Sequence, residues 1–548
     1  MIVPPMMPNM YNNQTNKDLI PRRILAFSFN TSSVVYSYER MAKFLESEGF
    51  ELILLSPQPD AKAFFWGKGL EAYSLTELVE YTRDDDPVKL EKDVARQFYD
   101  YDLKVQRKPV LPLDVPSVVK NDEDYYHWAT EHIYRAVSTL LEYIYPCTVF
   151  SWNSCTLPVN ILSRLANEKD LPVFYLERGL LPETVVVDSV GVNYGSHIAG
   201  DKWQRVHAPV PDSKENELAD RFCRQLEECR ATIVPSGRDM EDGNIRTELG
   251  IPADASVLLF ALQIEKDSNI ISYSPFYKSM PEIISDLAEV VERIEKLYVI
   301  IKPHPEDKDR LEELRKLCSD KLFISPDYGL QPLFNVADLV MAVNSTVGLE
   351  ALTRRKQVIV LGKAVYGEKG FTFDLNSPER LEQTIREALE CAEKGVFNEK
   401  EFKRFLVYLL KRCLFSLNEE DPWQSRDHII TMMKESIGER SIQFPPASKL
   451  TEDLSQSRQC VEQLFKKLEN KQISGKDILV IKPYAPVLAS EGSLFKYKPK
   501  VIDRHNLLGS LPSILMKKHE YVICFGRRTR RVKILMKILR SNKKISLV

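Results

Sequence analysis

Residues 297–307, LYVIIKPHPED, and residues 339–352, LVMAVNSTVGLEAL, decide how the second half of this 548-residue chain folds. Both open on an apolar run of strand length and close on polar residues, the pattern of a strand buried on both faces. Pro303 and Pro305 fix φ and restrict the residues before them, so the exit from the first run is stiff. It presents Lys302 and His304, an ammonium and an imidazole that suit an anionic phosphate. In the second run Asn344-Ser345-Thr346 stands where a strand gives way to a helix, with Ser345 or Thr346 the expected N-cap. Free N–H groups and a partial positive charge make such a helix start a phosphate site. Glu350, one turn on, is placed for a ribose hydroxyl pair. Simple capping competes with this reading, but Thr346 and Glu350 are four apart, not the three of a capping box.

Outward from these runs the same grammar repeats. Strands are expected at 257–262, 322–325 and 358–361, with helical stripes at 280–296 and 307–317. After the first of these strands, Gln263, Glu265 and Asp267 alternate, so an extended segment would turn all three to one side. In the first half, residues 23–29, 51–55, 147–151 and 172–176 read as strands separated by helices. One strand ends at Glu177-Arg178-Gly179, a carboxylate beside a glycine that permits close backbone approach. Trp152-Asn153 ends its neighbour, and Asp188 and Asn193 follow in a long loop. The expected fold is α/β, with two Rossmann-like domains facing a cleft and ligands at the carboxyl ends of strands. Boundaries fall at 22–235 for the acceptor-side domain, 236–400 for the nucleotide-sugar domain and 401–440 for closing helices. A disordered tail over 1–21 and a linker with a basic extension over 441–548 complete the chain.

Composition narrows the classes. Hydrophobic residues make up 44% and charged residues 28%, as in a soluble globular protein. No apolar run approaches the roughly 20 residues that span a bilayer. The opening MIVPPMMPNMYNN lacks the basic and apolar regions of a leader, so a cytoplasmic protein is expected. Nine cysteines are scattered without a CxxC pair, which fits reduced thiols and no metal site. From Lys476 onward there are 17 Lys/Arg against 4 Asp/Glu, leaving 58 against 74 in the first 475 residues. That asymmetry calls for an anionic membrane surface or a polyanion at the carboxyl end, and the acidic body argues against nucleic acid. GRRTRRVKILMKILRSNKK, over 526–544, reads as a basic amphipathic helix suited to inner-membrane anionic lipids on the cytoplasmic face.

Four pieces together resemble the capsule polysaccharide synthesis family of bacterial glycosyltransferases, which includes retaining β-Kdo transferases. They are the ExG segment with its PxT…D…GVN sequel (177–193), QxExD (263–267), KPHP (302–305) and NSTVGLEAL (344–352). The resemblance runs over about 140–415 and implies a GT-B-like fold, a CMP-Kdo donor and neither metal nor cofactor. It assigns catalysis to Asp267 as nucleophile and Glu177 as acid/base. Donor binding would fall to His304, Ser345 and Thr346, with Lys302, Asn344, Glu350, Gln263, Glu265, Arg178, Gly179 and Asn153 lining the site. The acceptor would be a glycan or glycolipid of capsule, lipopolysaccharide or O-antigen. Two rivals stand beside it. One is a related transferase with another donor, such as a CDP-glycerol-type polyol-phosphate transferase; the other is a non-catalytic capsule-assembly protein.

Overall fold

The computed structural model describes residues 22–438 apart from 30, 58–60, 62–63, 66–67, 84–87, 229–241 and 306–310, together with the backbone of four strands beyond 477. The 1–21 tail and the 526–544 helix expectation lie outside the described residues, save that 545–547 is a strand. Contacts divide the chain into two compact units, Met1–Val173 with Lys434–Val548, and Phe174–Met433.

The first unit holds four parallel strands: β1 (Arg22–Phe27), β2 (Phe50–Ser56), β3 (Glu71–Ser74) and β4 (Thr148–Trp152), in the order β4-β1-β2-β3. Ile24, Leu25, Ile53, Leu54, Val149 and Phe150 are all fully buried, which explains why these runs do not alternate. Residues 57–125 include helices Leu75–Tyr81 and Lys92–Lys104. The long helix Asp122–Ile144 begins where the Asn121 side chain accepts from Asp124 N at 2.9 Å, with three acidic residues in its first turn to meet the helix dipole. It stops at Tyr145, whose φ of 51° is left-handed.

The second unit opens with β5 (Val173–Arg178) and β6 (Thr184–Asp188), an antiparallel hairpin. Its six-stranded sheet comprises β7 (Ser256–Ala261), β8 (Leu297–Lys302), β9 (Leu322–Ile324), β10 (Leu339–Ala342), β11 (Gln357–Val360) and β12 (Phe373–Asp374). All pairs are parallel, in the order β12-β11-β10-β7-β8-β9. Alternation sorts its side chains: Val257, Leu259, Val340 and Val358 join one core cluster, and Leu258, Phe260, Met341 and Ile359 the other. The first cluster also takes in Leu180, Trp203, Ala219 and Cys223, so residues on both sides of the expected 235/236 boundary share one core. For that reason the compact units part at 173/174 rather than near 235.

Two further differences from expectation have local causes. The apolar stripe at 401–417 forms a helix only over Glu399–Arg412 and then gives β13 (Leu414–Ser416), which pairs antiparallel with β6. The segment 401–440 is thus helix, strand, helix, ending in Ser425–Ile437. Past it, β14 (Ile478–Lys482), β15 (Lys500–Asp503), β16 (Tyr521–Cys524) and β17 (Ile545–Leu547) make a parallel sheet of their own.

Candidate functional site

In the six-stranded sheet the chain runs from β7 outward through β8 and β9, then returns to β10, β11 and β12 on the other side of β7. The strand order therefore reverses between β7 and β10, where open α/β sheets leave a crevice at their carboxyl edge. Three sequence motifs arrive there side by side: Gln263 beyond β7, Asn344 beyond β10, and His304 beyond β8.

Gln263 and Asn344 face each other across the switch point and bond reciprocally. Gln263 Nε2 donates to Asn344 Oδ1 at 2.9 Å, and Asn344 N donates to Gln263 Oε1 at 2.9 Å. Asn344 Nδ2 also donates to the carbonyl of Asn269 at 3.0 Å. These two amides thus fix the loops relative to one another and have little left for a ligand. Next in the chain, Ser345 is the N-cap of helix Thr346–Thr353, its hydroxyl accepting from Val347 N at 3.3 Å. Tyr366 is buried and donates to the carbonyl of Ser345 at 2.6 Å, which braces the helix start from behind. Thr346, the first helical residue, is half-buried at that end.

Lys302 differs from expectation. It is the last residue of β8, 5% exposed, and its Nζ donates to the carbonyl of Pro326 at 2.9 Å. Burial depresses its pKa, with Asp327 opposing. An ammonium committed to a carbonyl is a strut for the KPHP turn, and His304 lies half-buried two residues later.

The QxExD segment is not an extended ribbon. β7 ends at Ala261 and Asp267 N donates to the carbonyl of Ile264 at 2.9 Å, closing a turn. Glu265 turns away to accept from Met280 N at 2.9 Å, reinforcing the start of helix Met280–Arg293. Asp267 is exposed and caps the short helix Ser268–Tyr273, accepting from Asn269 N at 2.8 Å. Because Asn344 holds Asn269, the NST helix start and the Asp267 carboxylate belong to one hydrogen-bonded assembly.

Glu177 lies near the end of β5, half-buried, and accepts from Arg178 N at 2.8 Å. Its pKa rises to about 7: burial is the main cause, the Arg178 amide opposes it, and the negative charge of Asp267 raises it further. The negative charge of Asp267 therefore reaches Glu177 and disfavours its ionised form. Arg178 is exposed. Gly179 is required by the hairpin and not by a ligand, since a Cβ there would sit 1.9 Å from Thr184 Oγ1 and 2.3 Å from the Thr184 carbonyl oxygen. Glu350 is 6% exposed with its pKa pushed to about 7 by burial, against the pull of Arg354. Asn153 belongs to the first unit, directly after β4, in a left-handed conformation with φ 70°.

Sequence reading put Asp188, which is the last residue of β6, in a long loop with Asn193, and it singled out neither Ser196 nor His197. Asp188, at the end of β6 and fully buried, accepts from Val190 N, Gly191 N, His197 N and His197 Nδ1 at 2.7, 3.2, 3.0 and 2.7 Å, and from the Ser196 hydroxyl at 2.5 Å. This one carboxylate folds the loop 189–197 around itself. The loop presents Tyr194, which donates to Glu368 at 2.6 Å and packs on Tyr273 with ring centroids 5.9 Å apart. Asp188 and His197 are nine apart, a spacing with no helical or strand period to betray it. Among the described residues no cluster of three His, Cys, Asp or Glu side chains is placed to hold a metal ion. No helix among them is long and apolar enough to cross a membrane.

Residues 232–397 match the family model described as capsule polysaccharide biosynthesis protein. Among curated proteins the chain is similar to protein FixF of Sinorhizobium fredii, 24% identical over 262 residues, which cover 48% of this chain and 58% of that protein. It is also similar to the Escherichia coli capsule polysaccharide export protein KpsS, 26% identical over 167 residues, 29% of this chain and 40% of that one. The matches thus span about half the length of these curated relatives. Among solved structures, the β-Kdo 2,7 transferase of KpsC from Thermosulfurimonas dismutans is 21% identical with a TM-score of 0.32, over 54% of this chain and 83% of that one.

Proposed function

We propose, from the match of residues 232–397 to the capsule polysaccharide biosynthesis family model, that the chain is a glycosyltransferase of bacterial surface-polysaccharide assembly. The observation that supports it best is the convergence at the switch point of a braced helix N-terminus and His304 at the adjoining strand end, with the charge of Asp267 among the causes that raise the Glu177 pKa. A nucleotide-sugar phosphate suits the first two, and transfer chemistry suits the pair.

In this reading the donor is CMP-Kdo, the fold works as GT-B enzymes do, and no metal or other cofactor takes part. His304 and the amide at Thr346 hold the phosphate at the positive end of the helix, so its charge is stabilised as it leaves. Asp267 attacks the anomeric carbon as the bond to the phosphate oxygen breaks, the electron pair departing with CMP. Glu177, ionised, then takes the proton of the acceptor hydroxyl. The new glycosidic bond forms from that oxygen as the Asp267 ester breaks and the carboxylate is released. Two inversions give net retention. The acceptor is a glycan or glycolipid, and the work is done at the cytoplasmic face of the membrane.

A donor screen with CMP-Kdo, CMP-sialic acid, CDP-glycerol and common UDP-sugars tests the substrate class. Turnover of CMP-Kdo alone is expected; turnover of CDP-glycerol alone sinks the proposal. Intact-mass analysis of denatured protein should find a Kdo adduct on wild type that Asp267→Asn lacks. An identical adduct on both removes the nucleophile assignment.

A further inference from the structure

The hairpin that carries Glu177 and the helix that carries Asp267 are joined through an aromatic contact. Glu177 pairs with Val186 across β5 and β6, and β6 ends at Asp188. The loop that Asp188 gathers, 189–197, follows directly and brings Tyr194 to Tyr273, ring centroids 5.9 Å apart. Tyr273 is the last residue of the helix Ser268–Tyr273, whose N-cap is Asp267. From elsewhere in the site Asn344 Nδ2 holds the carbonyl of Asn269 at 3.0 Å, and Lys363 N donates to the carbonyl of Tyr273 at 2.7 Å.

Tyr194 is tied at its hydroxyl and its carbonyl as well as its ring. The hydroxyl donates to Glu368 at 2.6 Å, and Lys363 pairs with the same carboxylate. Lys202 Nζ donates to the carbonyls of Tyr194 and Gly195 at 3.1 and 3.0 Å. Gly200, at φ 56°, closes over the bond to Glu368: a Cβ there would stand 2.4 Å from Tyr194 Oη and 3.0 Å from Glu368 Oε2. Glu368 keeps a left-handed φ of 60°, and its N–H donates to Asp374 at 3.0 Å. We propose that Tyr194 is a positioning residue: latched to Glu368 and seated on Tyr273, it fixes the helix that carries Asp267 against the hairpin that carries Glu177, and so sets the separation of the two carboxylates. The inference rests on the transfer reading above, in which these two groups do the chemistry. Double displacement works over a narrow carboxyl separation, about 5–5.5 Å in retaining glycosidases, so a small slip of either element is costly.

The test reads the Glu177 carboxyl directly, by carbodiimide labelling of the folded full-length chain across pH followed by peptide mass spectrometry. In wild type its titration midpoint should lie at about 7. Asp267→Asn should lower that midpoint, because the like charge is gone. Tyr194→Ala should lower it too, but should no longer do so when Asp267 is already replaced, since both changes act through the same contact. With CMP-Kdo, Tyr194→Ala should lose roughly a hundredfold in kcat with far less change in KM. Tyr194→Phe, which keeps the ring on Tyr273, should recover part of that loss. Should Tyr194→Ala fail to fold, Glu368→Ala cuts the far end of the latch and the same shifts are expected of it. A midpoint that stays at the wild-type value in these variants, or falls equally with and without Asp267, overturns the proposal. Wild type that leaves CMP-Kdo untouched rejects the donor instead, and the labelling still decides what Tyr194 does.

Discussion

At the scale of single residues, two buried carboxylates pull stability in opposite directions with pH. Glu350 has a folded pKa of about 7, well above its ordinary value, so the native state holds its proton more tightly than the unfolded chain. Its contribution is full below about pH 4.5 and lost as pH rises through 7. Glu350→Gln should therefore match wild type in acid and exceed it at pH 8 by up to about 3 kcal/mol, read from urea midpoints against pH. If Glu350 also accepts from a ribose, the same variant should bind CMP roughly tenfold more weakly, more stable but less able. Asp188 runs the other way. Burial would raise its pKa, but the hydrogen bond and charge of His197 and the Ser196 hydroxyl outweigh burial and hold it low. Its stabilisation is present at neutral pH and disappears as pH falls through that lowered value. Every group around it donates, so in Asp188→Asn the new NH2 meets a donor and leaves at least one buried group unpaired. A loss of about 2–4 kcal/mol at pH 7 is expected, shrinking in acid. A loss that does not vary with pH would show that the charge is not what holds the loop.

At the scale of elements, the helix Thr346–Thr353 shows how close contact sets a sequence choice. A Cβ on Gly348 would stand 2.2 Å from Tyr366 Oη, and that hydroxyl braces the Ser345 carbonyl. Helix propensity alone would favour Gly348→Ala by about 1 kcal/mol. Because Tyr366 is buried and has no room to retreat, we expect the variant instead to lose about 1–3 kcal/mol and to weaken CMP binding. A gain in thermal stability would mean that the brace is unimportant. The elements also show what the sequence made legible. β7, β8, β10 and β11 were readable to within a residue or so because strands buried on both faces are continuous apolar runs. Ser345 was readable as a cap and Glu177 as a strand-end carboxylate. The roles of Lys302, Glu265 and Gly179 were not, since each depends on a partner distant in sequence or on hairpin geometry: Pro326, Met280 and Thr184. Periodicity registers which face a residue takes and says nothing of which carbonyl its side chain reaches. β6 and β13 escaped for a related reason, because pairing between 184–188 and 414–416 leaves no local trace.

At the scale of the whole molecule, the residues assigned to the donor lie in one compact unit, with Asn153 alone in the other. Glu177, Gln263, Asp267, His304, Asn344, Ser345, Thr346 and Glu350 all fall within Phe174–Met433. A ligand that binds only the native form of that unit stabilises it by mass action, about 2.7 kcal/mol at a hundredfold excess over Kd. Hydrogen exchange with saturating CMP should therefore slow at 262–267, 304 and 345–350 and leave the amides of β1, β2 and helix Asp122–Ile144 at their free rates. CMP lacks the sugar, so this outcome is set by the phosphate and nucleoside contacts and not by the identity of the transferred group. Protection confined to the first unit would overturn the cradle itself. Protection at the cradle with no turnover of CMP-Kdo would keep the nucleotide site and reject the sugar. The two halves of the proposal, nucleotide and sugar, thereby fail separately.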